Sequence, residues 1–399
     1  MKPLNITILI FAYFVFIPSN LIAQQPGENK KKLELNGYFS SMQSVVDMDT
    51  LDGRWITDYQ MNNRLNFFYY PLKSLTFSVQ SRNRFIYGDQ IKYDLTGVYK
   101  KTMDGDNGIL DLTFNVFDGN SYIFNINIDR LWLKYTLSKL EITIGRQRIN
   151  WGQTYVWNPN DIFNAYSYFD FDYEERPGSD AVRIQYYAGA ASVVEGAVKV
   201  DSGKNFTAAG LVRINKWGYD MQVLGGILNS EDMVAGFGWS GNIGGAGFKG
   251  EISYFHPYRN FGDTSGLVFI TLGVDYTFGN SLYIGFEGLY NQLPKDFYGA
   301  GFAQFYEGPL TVKNLSFTEY NLFAQISYPV NPIINVSLAG MYFPDVSGYF
   351  AGPSFTWSLM DNLNLSLYLQ FFKGEFPDIT GVKMQQSFNL GFMRMKYSF

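Results

Sequence analysis

The feature that most constrains this chain is a strict alternation of apolar and hydrophilic residues near its C-terminus. Leucine occupies every second position from Leu363 to Leu369, and the positions between them, Ser366 among them, carry polar groups. Because a β-strand directs successive side chains to opposite faces, this segment has one apolar and one polar face. The same period of two recurs at 281–291 and 319–329, and helical spacing fits none of these runs.

Composition indicates where such strands would be stable. Aromatic residues make up 18% of the chain and glycine occurs 40 times, whereas charged residues are only 17%, against about 25% in a usual soluble domain. No apolar run of the ~20 residues needed for a membrane helix follows residue 23. In hydrocarbon every backbone group must be paired, which helices and closed barrels alone achieve. The sequence therefore predicts an all-β fold, a single transmembrane antiparallel β-barrel over residues 33–399.

Counting the alternating segments predicts 18 strands, with 16 as the alternative. The predicted strands are 33–46, 57–70, 74–86, 122–137, 140–150, 180–188, 191–200, 205–214, 217–228, 231–241, 245–256, 267–278, 281–291, 319–329, 333–343, 350–359, 362–372 and 385–399.

The connections support an even count. Outer-membrane barrels alternate short periplasmic turns with longer outer loops, and both chain ends lie in the periplasm. Counted back from Phe399, the three longest connections, 87–121, 151–179 and 292–318, all fall on the outer side. The presumed periplasmic turns are short: Pro71–Lys73, Ser138–Lys139, Gly189–Ala190, Asn215–Lys216, Asn242–Gly244, Gly279–Asn280, Val330–Pro332 and Met360–Asp361.

The N-terminus predicts export. Residues 1–23 contain Lys2, an apolar run from Ile8 to Ile17 and Ala23 before the expected cut, which is the order of a secretory signal peptide. A retained membrane anchor is the alternative, but the run is short for a spanning helix. Residues 24–32 read as a periplasmic tail, too short for the plug domain of an energy-coupled transporter.

The C-terminus predicts the destination, the outer membrane of a Gram-negative bacterium. The last strand ends with Met393, Met395, Tyr397 and Phe399 on one parity, an ending that resembles the recognition signal of the outer-membrane insertion machinery. The alternative, an edge strand of a soluble sheet, would leave a long aromatic edge open to aggregation. The expected partners are therefore this machinery, outer-membrane lipid and lipopolysaccharide.

The stretch from Leu140 to Tyr186 carries the most individual motifs, which are Gly145-Arg146-Gln147, Trp151-Gly152, Asn158-Pro159-Asn160-Asp161-Ile162-Phe163 and Arg176-Pro177-Gly178-Ser179-Asp180-Ala181-Val182-Arg183. They resemble a pattern in uncharacterised outer-membrane proteins related to the porin and alginate-export barrels. The resemblance covers about 45 of the 399 residues. It implies a porin-like barrel of a broad superfamily, and it brings no catalytic residues.

The loop at 151–179 is dense in aromatic and acidic residues and is the candidate constriction. Porin-type loops of this kind fold into the lumen and narrow it, where aromatic faces stack on solutes and acids attract cations. The alternative is an outer cap or a girdle of aromatic residues at the membrane interface. The candidate residues are Trp151, Tyr155, Trp157, Asp161, Tyr168, Asp170, Asp172, Glu174 and Glu175.

A basic wall is predicted opposite these acids. Because flanking residues such as Leu65, Leu133 and Ile184 must face lipid, the lumen parity carries Arg64, Arg82, Arg84, Arg130, Lys134 and Arg183. Such a wall facing an acidic loop would set a transverse field in a pore; alternatively, the lumen charges pair with one another and close the barrel. Arg146 and Arg148 fall on the lipid parity unless a bulge at Gly145 turns them inward.

The remaining signals argue against other classes. The net charge of −5 lacks the excess of basic residues that nucleic-acid binding requires. The chain has no cysteine and a single histidine, His256, which predicts neither a metal site nor a catalytic centre, and no cofactor is expected. The leading hypothesis is a porin-like channel for passive diffusion of small hydrophilic solutes or saccharides, with a homotrimer left open. The alternative is a closed structural barrel that binds or assembles surface polysaccharide.

Overall fold

The computed structural model describes residues 32–48, 55–94, 96–259, 261–293, 310–377 and 382–399. The signal-peptide prediction at 1–23, most of the tail and part of the 292–318 connection lie outside the described residues. Within the described residues the chain forms 19 strands. They are β1 Leu33–Met48, β2 Ile56–Leu72, β3 Leu75–Gly88, β4 Thr113–Asp118, β5 Tyr122–Leu137, β6 Leu140–Gln147, β7 Ser179–Tyr187, β8 Val193–Val200, β9 Phe206–Lys216, β10 Tyr219–Leu228, β11 Asp232–Ile243, β12 Ala246–Pro257, β13 Leu267–Thr277, β14 Tyr283–Asn291, β15 Tyr320–Asn331, β16 Ile334–Phe343, β17 Gly348–Met360, β18 Leu363–Pro377 and β19 Lys383–Ser398.

The strands close into one antiparallel ring. Each strand pairs with its neighbour in the chain, except at β4, and β19 pairs back onto β1 with Tyr38 opposite Ser398. The seam is fastened at its end, because the backbone N–H of Phe399 donates to the carbonyl of Gly37 at 2.9 Å. Since β4 stands outside the ring, 18 of the 19 described strands form the barrel, which confirms the predicted fold and its strand count.

The connection 87–121 is more structured than the sequence suggested. It contains two short helices, α1 (Asp89–Lys92) and α2 (Val98–Asp104), and then β4. Strand β4 pairs with the outer part of β5, on the same edge that pairs with β6 further down. The predicted strand 140–150 was too long, because β6 ends at Gln147 and β4 extends the wall beyond it.

A single 3₁₀ turn, Pro344–Val346, precedes β17. In the described part of the chain no helix is long and apolar enough to span a membrane.

The two faces of the wall separate as the period-two pattern requires. Outward side chains such as Val182 and Ile184 are exposed, whereas the polar side chains between them face the interior. Exposed tyrosines ring the barrel towards both ends of the strands, at Tyr59, Tyr87, Tyr254, Tyr320, Tyr342 and Tyr349 on the long-loop side and at Tyr69, Tyr135, Tyr186, Tyr276, Tyr328 and Tyr397 on the short-turn side. Two such rings enclosing an apolar band are typical of a barrel in a bilayer.

Two backbone irregularities interrupt the alternation next to the candidate loop. Gly145 has a φ of 113°, and a Cβ placed there would overlap the carbonyl oxygen of Leu131. On β5, Gln80 pairs with Arg130 but Ser81 pairs with Ile128, so Asp129 is an extra, bulged residue. The bulge at Asp129 inverts the parity of β5 beyond it. Pairing of β6 with both of its neighbours continues through Gly145 without a change of register.

Candidate functional site: the barrel interior

The loop between β6 and β7 turns into the barrel rather than away from it. The indole Nε1 of Trp151 donates to Glu195 on β8 at 2.6 Å, and the Trp151 carbonyl accepts from Gln222 on β10 at 2.6 Å. The side chain of Asn160 donates to the carbonyl of Phe237 on β11 and accepts from Ser253 on β12. These partners sit on the inner face of the wall, so the loop lies in the lumen.

Two buried glutamates of the wall hold the loop backbone. Glu287 on β14 accepts the N–H groups of three consecutive residues, Tyr155 at 2.7 Å, Val156 at 3.0 Å and Trp157 at 2.8 Å. Glu251 on β12 accepts three more backbone N–H groups, those of Gln153, Thr154 and Asn160, as well as the Thr154 hydroxyl. Backbone amides gathered on a carboxylate form strong, charge-assisted bonds, so these glutamates fix the path of 153–160.

The middle of the loop crosses the next strands through aromatic contacts. Phe323 on β15 meets the rings of Tyr155, Trp157 and Tyr168, with centroids 5.3 to 6.5 Å apart. Further along, Phe169 packs edge-to-face on Phe350 of β17 at 5.1 Å. Phe171 reaches Tyr368 on β18 at 4.5 Å and Phe392 on β19 at 4.8 Å. The predicted aromatic residues therefore pack mainly on the wall.

The acidic end of the loop binds the opposite side of the barrel through ion pairs. Asp172 pairs with Arg82 on β3 at 2.5 Å. Glu174 pairs with both Arg394 at 2.8 Å and Lys396 at 2.7 Å on β19.

The last of these acids, Glu175, lies 3.5 Å from Arg64 and accepts from the Tyr38 hydroxyl on β1 at 3.3 Å. Arg130 on β5 then donates to the backbone carbonyls of Glu175 at 2.7 Å and Arg176 at 2.8 Å. Together these bonds and ring contacts join the loop 151–179 to the wall on every side, starting at β8, continuing through β19 and β1, and ending at β5.

Exposure divides the candidate loop residues into three groups. Tyr168, Asp172 and Glu175 are half-buried. Trp151, Trp157 and Asp161 are buried against the wall. Tyr155, with 43% of its surface accessible, Asp170 and Glu174 are exposed to water within the barrel. Burial raises the pKa of Asp161 to about 8. One of its oxygens accepts the Trp151 N–H at 3.2 Å, and the other has no partner in the described residues.

The predicted basic residues do line the interior, and most of them are already paired. Arg64, with no accessible side-chain surface, makes a two-bond contact to Asp129 at 2.8 and 3.1 Å. Arg183 pairs with Glu195 at 2.7 Å, and Lys134 lies 3.9 Å from Glu141.

Arg84 is the exception among the predicted basic residues. It donates to the amide oxygen of Asn125 at 2.8 Å, and no described carboxylate lies within ion-pair distance of it.

Two residues escaped the sequence interpretation or were misplaced by it. Asp129, the partner of Arg64 and of the Tyr173 hydroxyl, would face lipid if the parity of Leu131 and Leu133 continued, but the bulge turns it inward. Arg146, predicted on the lipid parity, is buried and donates to Asp180 at 2.7 Å and to Asp106 at 2.6 Å. Gly145 has the positive φ that a bulge would favour, but the ladder on both sides of β6 shows no bulge at this residue.

The space left around the loop is unequal on its two sides. Behind the loop, apolar side chains of the β8–β18 wall, such as Phe255, Phe269 and Phe323, form a packed core with Trp151 and Phe163.

Two cavities remain beside the loop. One, of about 570 Å³, is lined by residues 105–108 and 177–180 and extends to Lys199, Leu228 and Lys313. The other, of about 320 Å³, is lined by Arg82, Arg84 and Asp170. Asn127 and Tyr173 line both cavities, so the two adjoin there.

His256 makes no catalytic arrangement. It is buried beside the ring of Phe261, and its Nδ1 bonds the carbonyl of Pro257 at 2.9 Å. The nearby Ser253 hydroxyl donates to Asn160 instead. Across the described ranges no three histidine or acidic side chains converge as a metal ion would need.

Comparison with known proteins shows the fold. No family model matches the sequence, and no curated protein matches it. Among solved structures, Pseudomonas aeruginosa OccK11 (OpdR) superposes with a TM-score of 0.57 at 8% identity, covering 92% of this chain and 96% of that one. A BenF-like porin from Pseudomonas fluorescens Pf-5 has a TM-score of 0.56 at 11% identity, with 92% and 99% coverage. The outer membrane protein OpdK from Pseudomonas aeruginosa has a TM-score of 0.55 at 8% identity, covering 92% of this chain and 98% of that one. The resemblance to porin barrels is thereby confirmed at the level of the fold.

Proposed function

We propose that this chain is a porin-like channel of the Gram-negative outer membrane, through which small hydrophilic solutes diffuse passively. The loop 151–179 would be its constriction. The observation that carries the proposal is the fixation of this loop inside a closed barrel by bonds to the wall on all sides.

The fold supports the location and the type of activity. Proteins of this fold include a BenF-like porin and an outer membrane protein. Export through a signal peptide at residues 1–23, a tail at 24–32 and a barrel from 33 to 399 belong to the same proposal. Insertion through the C-terminal Phe399, whose ring lies 5.6 Å from that of Phe39 at the seam, belongs to it as well.

The water-exposed side chains of the loop indicate which residues meet a solute. Tyr155, Asp170 and Glu174 stand in water while their neighbours pack on the wall. Asp170 and Arg84 line the same cavity, one from the loop and one from β3. A carboxylate and a guanidinium facing each other across a water-filled gap create the transverse field predicted from the sequence. The field would therefore arise from this pair, since the other arginines of the wall are neutralised or bonded to the backbone.

A closed structural or polysaccharide-binding barrel is the second candidate. It is favoured by the ion pairs Arg64–Asp129, Arg82–Asp172 and Arg183–Glu195, which neutralise three of the six residues of the basic wall. Of these pairs, Arg82–Asp172 joins the wall to the loop. The apolar core behind the loop closes that half of the lumen as well.

Single-channel recording of the purified protein in planar bilayers separates these candidates. The channel predicts discrete current steps, and Tyr155→Ala should enlarge them by widening the constriction. Tyr258→Ala, which truncates an exposed tyrosine at the outer rim, is the matched control and should leave them unchanged. Absence of steps at every voltage would favour the closed barrel. Steps that Tyr155→Ala does not alter would remove the loop from the constriction.

A further inference from the structure

The outward surface of β1–β3 carries a group of polar residues where the barrel should meet lipid. The group consists of Asn63 on β2, Ser81 and Asn83 on β3, and Ser41 and Gln43 on β1. These residues have the same parity as the exposed Phe39, Leu65 and Tyr87, so they face away from the lumen. We name this group the polar patch.

The polar patch extends from the outer tyrosine ring, where Gln43 is opposite Tyr59, into the middle of the span. On β2, Asn63 stands between Tyr59 and Tyr69, the exposed tyrosines nearest the two ends of the strand. On β3, Asn83 and Ser81 follow Tyr87 inward from the outer ring of tyrosines. Asn63 and Asn83 are directly opposite each other in the ladder, which makes the patch continuous across the strands.

The described strands β7 to β18 have no counterpart to this patch. From β7 to β18, the outward positions between the two tyrosine rings are apolar side chains or glycine, alanine and proline. On β13, for example, these positions are Ile270, Leu272 and Val274. If the membrane-facing surface tolerated polar residues in general, they would be scattered around the whole barrel. Their concentration on the outward surface of β1–β3 therefore indicates a local cause.

Contacts within the patch do not satisfy its amides. Asn83 donates to the side-chain oxygen of Asn63 at 3.2 Å, to the backbone carbonyl of Asn63 at 3.4 Å and to the Ser81 hydroxyl at 3.5 Å. Asn63 donates to the carbonyl of Tyr38 at 3.4 Å. Each carboxamide offers two donors and an oxygen with two lone pairs, more than these long bonds use. Hydrocarbon supplies no partner for the remainder. A protein surface with hydrogen-bonding groups at the same depth would supply it.

We infer that the polar patch is a contact surface for a second copy of this chain in the membrane. Amides and hydroxyls both donate and accept, so an uncharged patch of Asn, Gln and Ser complements itself. A second copy inserted in the same orientation brings its own patch to the same depth, which an unrelated membrane protein would do only by coincidence. Symmetric association places the same patch of each copy at the interface. The small residues within it, Ser41 and Ser81, allow close approach of the backbones.

Cysteine cross-linking tests the inference, because the chain has no cysteine of its own. Ser81→Cys, treated in membranes with a bis-maleimide, should give a product with twice the mass of the chain. Leu272→Cys, at an exposed outward position in the middle of β13, is the matched control and should give none. Equal cross-linking of the two variants would overturn the inference, since it would report random collision. Cross-linking of Ser81→Cys to a product of another mass would assign the patch to a different partner and overturn it too.

A second variant tests whether the amides themselves bind. Asn63→Leu combined with Asn83→Leu removes the polar groups and keeps side-chain size, so the barrel should still fold, as heat-dependent electrophoretic migration will show. The mass of the detergent-solubilised protein should fall from an oligomer to a monomer. A monomeric wild type, or an oligomer that survives the double substitution, would overturn the inference. Neither result depends on whether the barrel conducts.

Discussion

Glu287 offers the sharpest test of how the loop is held. Its carboxylate accepts three consecutive loop N–H groups at 2.7, 3.0 and 2.8 Å. Glu287→Ala leaves all three without their acceptor, at about 1–3 kcal/mol for each buried donor, or about 3–9 kcal/mol in all, less where water enters the gap. Even 3 kcal/mol raises the undocked population on the order of 100-fold. The barrel should survive, because its strand ladder does not involve this carboxylate.

A cysteine reporter measures that population. Val156→Cys places a thiol at a buried loop position, so maleimide labelling should be slow in an otherwise unchanged chain and on the order of 100-fold faster when combined with Glu287→Ala. Single-channel currents should also become larger and noisier. Glu141→Ala, which removes a lumen glutamate that pairs with Lys134 instead of the loop, is the control and should match the parent. If Glu287→Ala leaves both labelling and current noise unchanged, aromatic packing alone holds the loop and the reasoning fails.

Three further outcomes follow from the structure. The pKa of Asp161 is raised from its ordinary 3.8 to about 8 by burial, so docking of the loop should weaken as pH rises between these values. The labelling rate of Val156→Cys, divided at each pH by that of a cysteine at an exposed position so that the rise in thiolate fraction cancels, should be higher at pH 8 than at pH 5. Asp161→Asn should abolish this difference in the ratio. Reversal potentials in a KCl gradient should shift towards cations in Arg84→Gln and towards anions in Asp170→Asn, whereas equal shifts in one direction would contradict the transverse field. Gly145→Ala should lower the yield of folded barrel, because the added Cβ meets backbone and φ is 113°; Gly210→Ala, with its nearest neighbour at 3.7 Å, should not.

The strands were predictable because their signal is local. Whether a residue faces lipid or lumen alternates along the chain, so residues such as Leu365 and Leu367 show both the strand and its orientation without knowledge of its neighbours. The same rule placed Arg64, Arg82 and Arg183 on the inner face. It failed at Asp129, because one extra residue in a ladder inverts the parity, and a bulge without glycine leaves no mark in the sequence.

The sequence alone therefore determined the barrel, the number of its strands and the position of the long aromatic and acidic loop at 151–179. Each of these follows from the period of the strands, the composition and the lengths of the connections. Tertiary structure decided the path of that segment and the use of the wall charges. The sequence pattern does not distinguish Glu195, Glu251 and Glu287 from other lumen carboxylates. Folding alone brings Glu195 to the indole N–H of Trp151, and Glu251 and Glu287 to backbone amides of the same loop. Contacts between the loop and strands across the barrel depend on how the whole ring of strands closes. The local sequence pattern of a single strand carries no information about that closure.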